Sequence, residues 1–449
     1  MDETREPTDA FYFGLALCLG LTAGLIGTAF HLTVDGLLHI APGLRKDGTP
    51  LSLLLPASMI LAALAALASA TIVRKVAPEA AGSGIQEIEG AMEGLRPMRA
   101  ARVLVAKFFG GALSLGAGLV LGREGPTIHM GAASAAAISE RFNLDKRDRK
   151  GLLAAGAAAG LAAAFNAPLA AILFIVEETR RQFPYGYRTY VAVITASAAS
   201  AVVTEWIAGV GPSLVISAST VPVYLLPGFI MLGVMLGGLG VFFNRALVAT
   251  LDAFANLPPG RWWLPATAIG AVSGALMILA PDATKGGETL IESLAAARHG
   301  FFLLIGLTML RFAGVMISYA SGVPGGIFAP MLSIATCFGL AGGTALAFVL
   351  PDAGELPKAF AIAAMGGLFA ASVRAPMVGV VLVLELTGAY ELLLPVLITC
   401  ACATVFAEKL GGRPIYEVLL ERTLAKAGIA GPPEVEKSPV IPGFDDTTK

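Results

Sequence analysis

Hydrophobic positions run almost without interruption from residue 11 to about 409, and polar positions only punctuate them. The runs lie near 11–34, 51–73, 101–121, 151–179, 190–210, 223–250, 262–280, 300–320, 328–350, 358–388 and 391–409. Each predicts helix, because a chain in lipid must satisfy its backbone internally and a span takes about 20 apolar residues. Few runs are clean: Gly122 and Pro126, Pro168, Pro324 to Gly326, Pro376 and Pro395 cut them. The pattern therefore predicts short, broken helices. A backbone break at membrane depth must be buried in protein or line a polar cavity, which points to a binding site inside the membrane.

Polar punctuation also orients the chain. Arg141 to Lys150 holds five basic residues, and Arg180, Arg181 and Arg188 form a second cluster. Lys/Arg excess marks the cytoplasmic side. Both clusters flank 151–179, which Pro168 divides, so a re-entrant pair of half-helices would put them on one side. The start, 1–10, carries Asp2, Glu3, Glu6 and Asp9 without a basic n-region or a small-residue cleavage site, so no removable signal peptide is expected. The run after it is then a membrane segment. Residues 426–449 read as a polar tail too short for another domain.

Composition narrows the class. Of 449 residues, 56% are hydrophobic and only 14% are charged, against roughly 25% in an average soluble domain. Mean hydropathy is +0.76. A soluble enzyme of this size would need a charged surface that this chain cannot supply. With 31 basic and 32 acidic residues, nothing points to nucleic acid. Cys18, Cys337, Cys400 and Cys402 lie in apolar stretches without metal spacing and read as small buried hydrophobes. No phosphate loop, nucleophile elbow or metal-ligand spacing is present, so neither an enzyme nor a cofactor is indicated.

The chain repeats itself. At an offset of 204, Lys107, Phe108, Gly110, Ser114, Gly118, Gly122 and Pro126 fall on Arg311, Phe312, Gly314, Ser318, Gly322, Gly326 and Pro330. At 208, Ala162, Ala163, Ala167, Pro168 and Glu177 fall on Ala370, Ala371, Ala375, Pro376 and Glu385. The halves are near 11–215 and 220–425. Transporters often carry such repeats, with their sites at corresponding broken helices near the midplane. Matched positions read as scaffold. Unmatched polar positions are candidates for chemistry: Ser83 falls on Gly287, Glu124 on Phe328 and Glu178 on Leu386.

In Gly122-Arg123-Glu124-Gly125-Pro126-Thr127, Pro126 suits a first helical turn, which puts Glu124 at a helix start inside the membrane. That end offers unpaired N–H groups and about half a positive charge. A tethered carboxylate can take the place of a free anion there and leave when protonated. The alternative is a capping glutamate paired with Arg123. In Gly82-Ser83-Gly84-Ile85 the glycines let the backbone approach an ion and the Ser83 hydroxyl can donate to it, although Gly-Ser-Gly is also a common turn. Gly325-Gly326-Ile327-Phe328 is the repeat partner of the Glu124 loop, with Phe328 as wall or gate, or as simple packing. Glu177 reads as structural because Glu385 matches it. Glu178 could pass protons from an aqueous edge, or could merely pair with Arg180 or Arg181. His129 could line a pore, although a packed or capping ring fits its position better, and His31, His39 and His299 are scattered.

These motifs carry a resemblance. GSGIQEIEG at 82–90, GREGPT at 122–127, GAAAGLAAAFNAPLAAILFIVEE at 156–178, SGVPGGIFAP at 321–330 and GGRPIY at 411–416 resemble the chloride channel and transporter (CLC) family over roughly 11–425. The resemblance implies an all-α polytopic membrane protein of two inverted repeats of short, tilted helices. It implies a homodimer in the lipid bilayer with one pathway per subunit. Ser83 and Tyr416 would place hydroxyls on a central anion, backbone N–H groups around Ile327 and Phe328 would complete the site, Glu124 would gate, and Glu178 would transfer protons on the inner side. A carboxylate at the Glu178 position typifies proton-coupled exchangers and is lacking in the channels, so a chloride/proton antiporter of the cell (inner) membrane is implied, with a passive chloride channel as the alternative. Gln86 stands where the family usually has proline, which bears on loop rigidity and on selectivity or rate. Ser83 favours chloride over nitrate, and none of the family's CBS domains is expected after Tyr416.

Overall fold

The computed structural model describes residues 8–429 except 47, 210, 212–213, 215, 217–219, 298 and 350–355. Most of the two tails, 1–10 and 426–449, lies outside the described residues. The apolar runs all become helix. They are α1 (Asp9–Lys46), α2 (Leu51–Val76), α3 (Ile85–Glu93), α4 (Ala100–Val105), α5 (Gly111–Gly116), α6 (Glu124–Arg141), α7 (Lys146–Phe165), α8 (Pro168–Glu178) and α9 (Tyr187–Ala208) in the first half. The second half holds α10 (Leu226–Ala255), α11 (Trp263–Leu279), α12 (Glu288–Ala296), α13 (Phe301–Ala320), α14 (Phe328–Val349), α15 (Leu356–Val373), α16 (Pro376–Thr387), α17 (Leu393–Lys409) and α18 (Ile415–Lys426). Among the described residues, nine helices are long and apolar enough to cross a membrane. Their outward faces carry Leu53, Ile60, Leu64, Trp206 and Phe302, all exposed, as lipid-facing surface requires.

The predicted breaks are where the chain turns. The run 151–179 splits at Asn166, which adopts left-handed backbone (φ 52°), and restarts at Pro168. The run 358–388 splits at Arg374 (φ 70°) before Pro376. The 20 residues of α7 reach about 30 Å, and the 11 of α8 bring the chain back about 16 Å. Arg188 then pairs with Asp148 at 3.2 Å. The two basic clusters therefore share one side, as the re-entrant reading requires. Three helices near the site lie outside the apolar runs: α3, α6 and α18. Of these α6 is rich in Gly and Ala, and nearly all of it is buried. Cys18 departs from expectation: it is exposed on an outward face of α1, whereas Cys337 and Cys400 are buried and Cys402 is partly so.

The duplication is visible as reciprocal bonding. Met377 and Val378 N–H groups donate to Glu177 at 3.3 and 2.9 Å. Leu169 and Ala170 N–H groups donate to Glu385 at 3.1 and 2.7 Å. Each glutamate lies in the last turn of one helix of the α8/α16 pair and caps the start of the other, which only antiparallel, two-fold-related helices can do. Glu177 is thus structural, as its twin suggested. Ser114 Oγ donates to Pro324 O at 2.6 Å, and its counterpart Ser318 Oγ accepts from Val120 N–H at 3.2 Å. Small residues let the helices close up, as they do in membrane interiors. A Cβ on Gly274 would lie 2.8 Å from the Ser58 carbonyl carbon, and one on Gly237 would lie 2.8 Å from Ala403 O.

Candidate functional site

Three glycine-containing loops are joined by main-chain bonds. Gly82 N–H donates to Val323 O and Gly325 N–H to Gly82 O, both at 3.0 Å. Gly122 and Gly326 exchange bonds at 2.8 and 2.7 Å. These loops open α3, α6 and α14, so the first turns of three helices converge in the protein interior. First-turn N–H groups have no helical partner and carry partial positive charge. Their convergence makes a place that attracts an anion without a full positive charge.

Ser83 sits fully buried in the first loop, between Gly82 and Gly84, both in left-handed backbone (φ 63° and 91°). Buried Lys107 donates to Gly82 O at 2.7 Å and to Ser83 O at 2.9 Å. A trans peptide points its C=O and N–H opposite ways. Holding these two carbonyls therefore turns the N–H groups of Ser83 and Gly84 away from the ammonium. The Ser83 N–H meets Tyr319 Oη at 3.3 Å, and the buried Ser83 hydroxyl faces that of Tyr416. Tyr416, fully buried on α18, lies within electrostatic reach of Ser83, Tyr319, Glu124 and Glu178. Gln86 is buried on the first turn of α3, and among the described residues its Oε1 has no partner.

Glu124 opens α6 and is fully buried. Its Oε2 crosses to the first turn of α14 and accepts from Ala329 N–H at 3.4 Å, while among the described residues Oε1 has no partner. A capping pair with Arg123 is not formed. The Arg123 guanidinium turns instead to Glu288 at 3.2 Å, to Asp35 at 4.0 Å and to His31. Beside Arg123 is a cavity of about 280 Å³, lined also by Thr28, His31, Asn166 and Thr204. Ile327 and Phe328 are buried at the start of α14. The Phe328 ring packs against Phe369, Phe165 and Phe174, with centroids 4.4, 5.2 and 6.0 Å away, and so forms a wall.

Glu178, the last residue of α8, stands apart from this cluster. It is not simply paired with Arg181, which bonds Glu417 at 2.5 Å. Its carboxyl is hydrogen-bonded to that of Glu89 on α3, with Arg180, Glu177 and Glu417 around it. Two carboxyls can bond only when one carries a proton, because an ionised carboxylate has no donor. The pair is built to hold a proton. The sequence reading missed Glu89, Tyr319 and the function of Lys107. In the sequence Lys107 reads as scaffold because it has a twin in Arg311. An ionisable side chain in an apolar run was the signal that could have found it.

Comparison with known proteins agrees with this geometry. Residues 65–408 match the family model described as voltage gated chloride channel. The chain is 44% identical over 428 residues to the H(+)/Cl(-) exchange transporter ClcA of Salmonella paratyphi A, covering 94% of this chain and 90% of that one. Among solved structures it is similar to a slow cyanobacterial Cl-/H+ antiporter, with 37% identity, a TM-score of 0.89, and 93% and 99% of the two chains covered. A eukaryotic CLC transporter shares the fold at 24% identity and a TM-score of 0.79, over 92% of this chain and 74% of that one. Family model, relatives and fold agree: the chain belongs to the voltage-gated chloride channel (CLC) family.

Proposed function

We propose that this multi-pass membrane protein exchanges chloride for protons in opposite directions, with Glu124 as the gate. One observation carries the reading. The Glu124 carboxylate rests on the first turn of α14, bonded to Ala329 N–H, where a free anion would take the same positive helix end. Chloride and carboxylate thus compete for one place. When Glu124 takes up a proton it loses the charge that holds it there, and chloride can enter between the helix starts and the Ser83 and Tyr416 hydroxyls. Backbone N–H groups around Ile327 and Phe328 complete its shell, and the Phe328 wall confines it. Helix ends and hydroxyls bind a halide weakly enough for it to leave again.

Protons reach the inner side through Glu178, bonded to Glu89. The relatives named as H(+)/Cl(-) exchangers support coupled exchange over a passive channel. We further propose a homodimer of the bacterial inner membrane, with one pathway per subunit and no cofactor.

The test is proton uptake by liposomes holding the purified protein, with a chloride gradient imposed and voltage clamped by a potassium ionophore. Protons driven uphill by chloride, and lost in Glu124→Ala, support exchange. Chloride flux without proton movement makes the protein a channel.

A further inference from the structure

The internal repeat supplies a comparison at one buried corner. In the second half, Gly287 (φ 106°) precedes α12, and a Cβ there would lie 2.6 Å from Ser333 Oγ on α14. Arg311 closes this corner. Its Nε donates to Ser333 Oγ at 2.7 Å, and its other four N–H groups go to carbonyls of Asp282, Thr284, Lys285 and Gly286 at 2.8, 2.9, 3.1 and 2.9 Å. All five guanidinium donors are used.

The first half builds the same corner from other residues. Gly84 (φ 91°) precedes α3, and a Cβ there would lie 2.6 Å from Cγ of His129 on α6. At the offset of 204, Lys107 stands for Arg311 and His129 for Ser333. Lys107 makes only its two bonds to Gly82 and Ser83 carbonyls. An ammonium has three donors, so one N–H is left over among the described residues. His129 is 0% exposed, and among the described residues neither ring nitrogen has a partner. Its charged neighbour is Lys107. Among the described residues the direct cation-to-helix bond of the second half is therefore missing from the first: a buried donor on Lys107 and a buried acceptor on His129 lie against the same Gly82–Gly84 loop, and Glu87, the acidic neighbour of Lys107, is held by Arg96. Buried polar groups of this kind are satisfied by internal water.

We propose that a buried water bridges Lys107 Nζ to the neutral ring of His129, accepting from the third ammonium N–H and donating to the unprotonated ring nitrogen. His129 is then a positioning residue for the anion site. Through the water it holds the Lys107 ammonium against the Gly82 and Ser83 carbonyls, and so holds the Ser83 loop with its N–H side turned the other way. The inference rests on the transport reading for its consequence, but not for the water itself.

The test combines a high-resolution crystal structure of the full chain with chloride titration calorimetry. The structure is expected to contain one solvent peak within hydrogen-bond distance of both Lys107 Nζ and His129. His129→Leu, which strands the ammonium, is expected to bind chloride about five- to tenfold more weakly. The double variant Lys107→Arg/His129→Ser rebuilds the direct pair of the second half and is expected to come back to within about twofold of the parent. Absence of the peak, or parental chloride affinity in His129→Leu, overturns the inference. The peak needs no chloride and no variant that folds. It decides the inference even where the parent binds no chloride, an outcome that removes only the transport reading.

Discussion

Replacing Glu124 by glutamine tests the competition at the centre of the mechanism. Glutamine keeps the shape and removes the charge, so chloride no longer has to displace a tethered anion. The structure sets the size of the effect. The carboxylate accepts from Ala329 N–H at a long 3.4 Å and also meets its own backbone N–H at the start of α6. Its other oxygen has no partner among the described residues. What holds it is then mainly charge against the helix starts of α6 and α14, worth about 1 kcal/mol and up to about 2 kcal/mol when buried. Removing a competitor of that strength tightens chloride binding by about five- to thirtyfold. The assay is calorimetric titration of chloride into detergent-solubilised Glu124→Gln and parent at one pH, followed by proton uptake in liposomes. Proton coupling is expected to vanish while chloride still moves. An affinity within twofold of the parent would mean that carboxylate and chloride do not share the α14 helix end, and the gating argument would fail.

Further outcomes follow from individual contacts. Glu178→Gln keeps a hydrogen bond to Glu89 but cannot release a proton, so liposome assays should record chloride flux with proton transport lost. Glu177→Ala and Glu385→Ala each leave two N–H groups of the opposite helix without their acceptor. Each should cost about 1–3 kcal/mol, read as similar drops in thermal stability, and a large effect from only one would count against the two-fold pairing. Gly125→Ala puts a methyl about 2.7 Å from Ser83 Oγ and 2.8 Å from Ser83 Cα, so chloride affinity should fall without loss of the folded protein, and unchanged binding would place the anion elsewhere.

Much of the fold could be read along the chain because lipid imposes the rule. Apolar runs became helices, and Pro168 and Pro376 marked real restarts, since proline starts a helix more readily than it continues one. Helix α6 could not be read this way, because a Gly/Ala-rich segment buried in protein needs no lipid-facing hydrophobicity. The repeat was legible in matched residues, and its asymmetries picked out Ser83, Glu124 and Glu178. The same logic hid Lys107, because a twin argues for scaffold even where the side chain also serves a site. Glu89 was hidden for a different reason: its meaning comes from a partner on another helix.

The sequence by itself determined the membrane class, the duplication, the breaks and the candidate residues, because each depends on local composition or on comparison at a fixed offset. Only the tertiary structure decided that the loops at Ser83, Glu124 and Phe328 meet, that Glu124 turns to Ala329 rather than to Arg123, and that Glu178 bonds Glu89. Those are contacts between helices far apart in the chain. They are set by how glycine faces close and where unpaired main-chain groups find partners, and no local pattern encodes that choice.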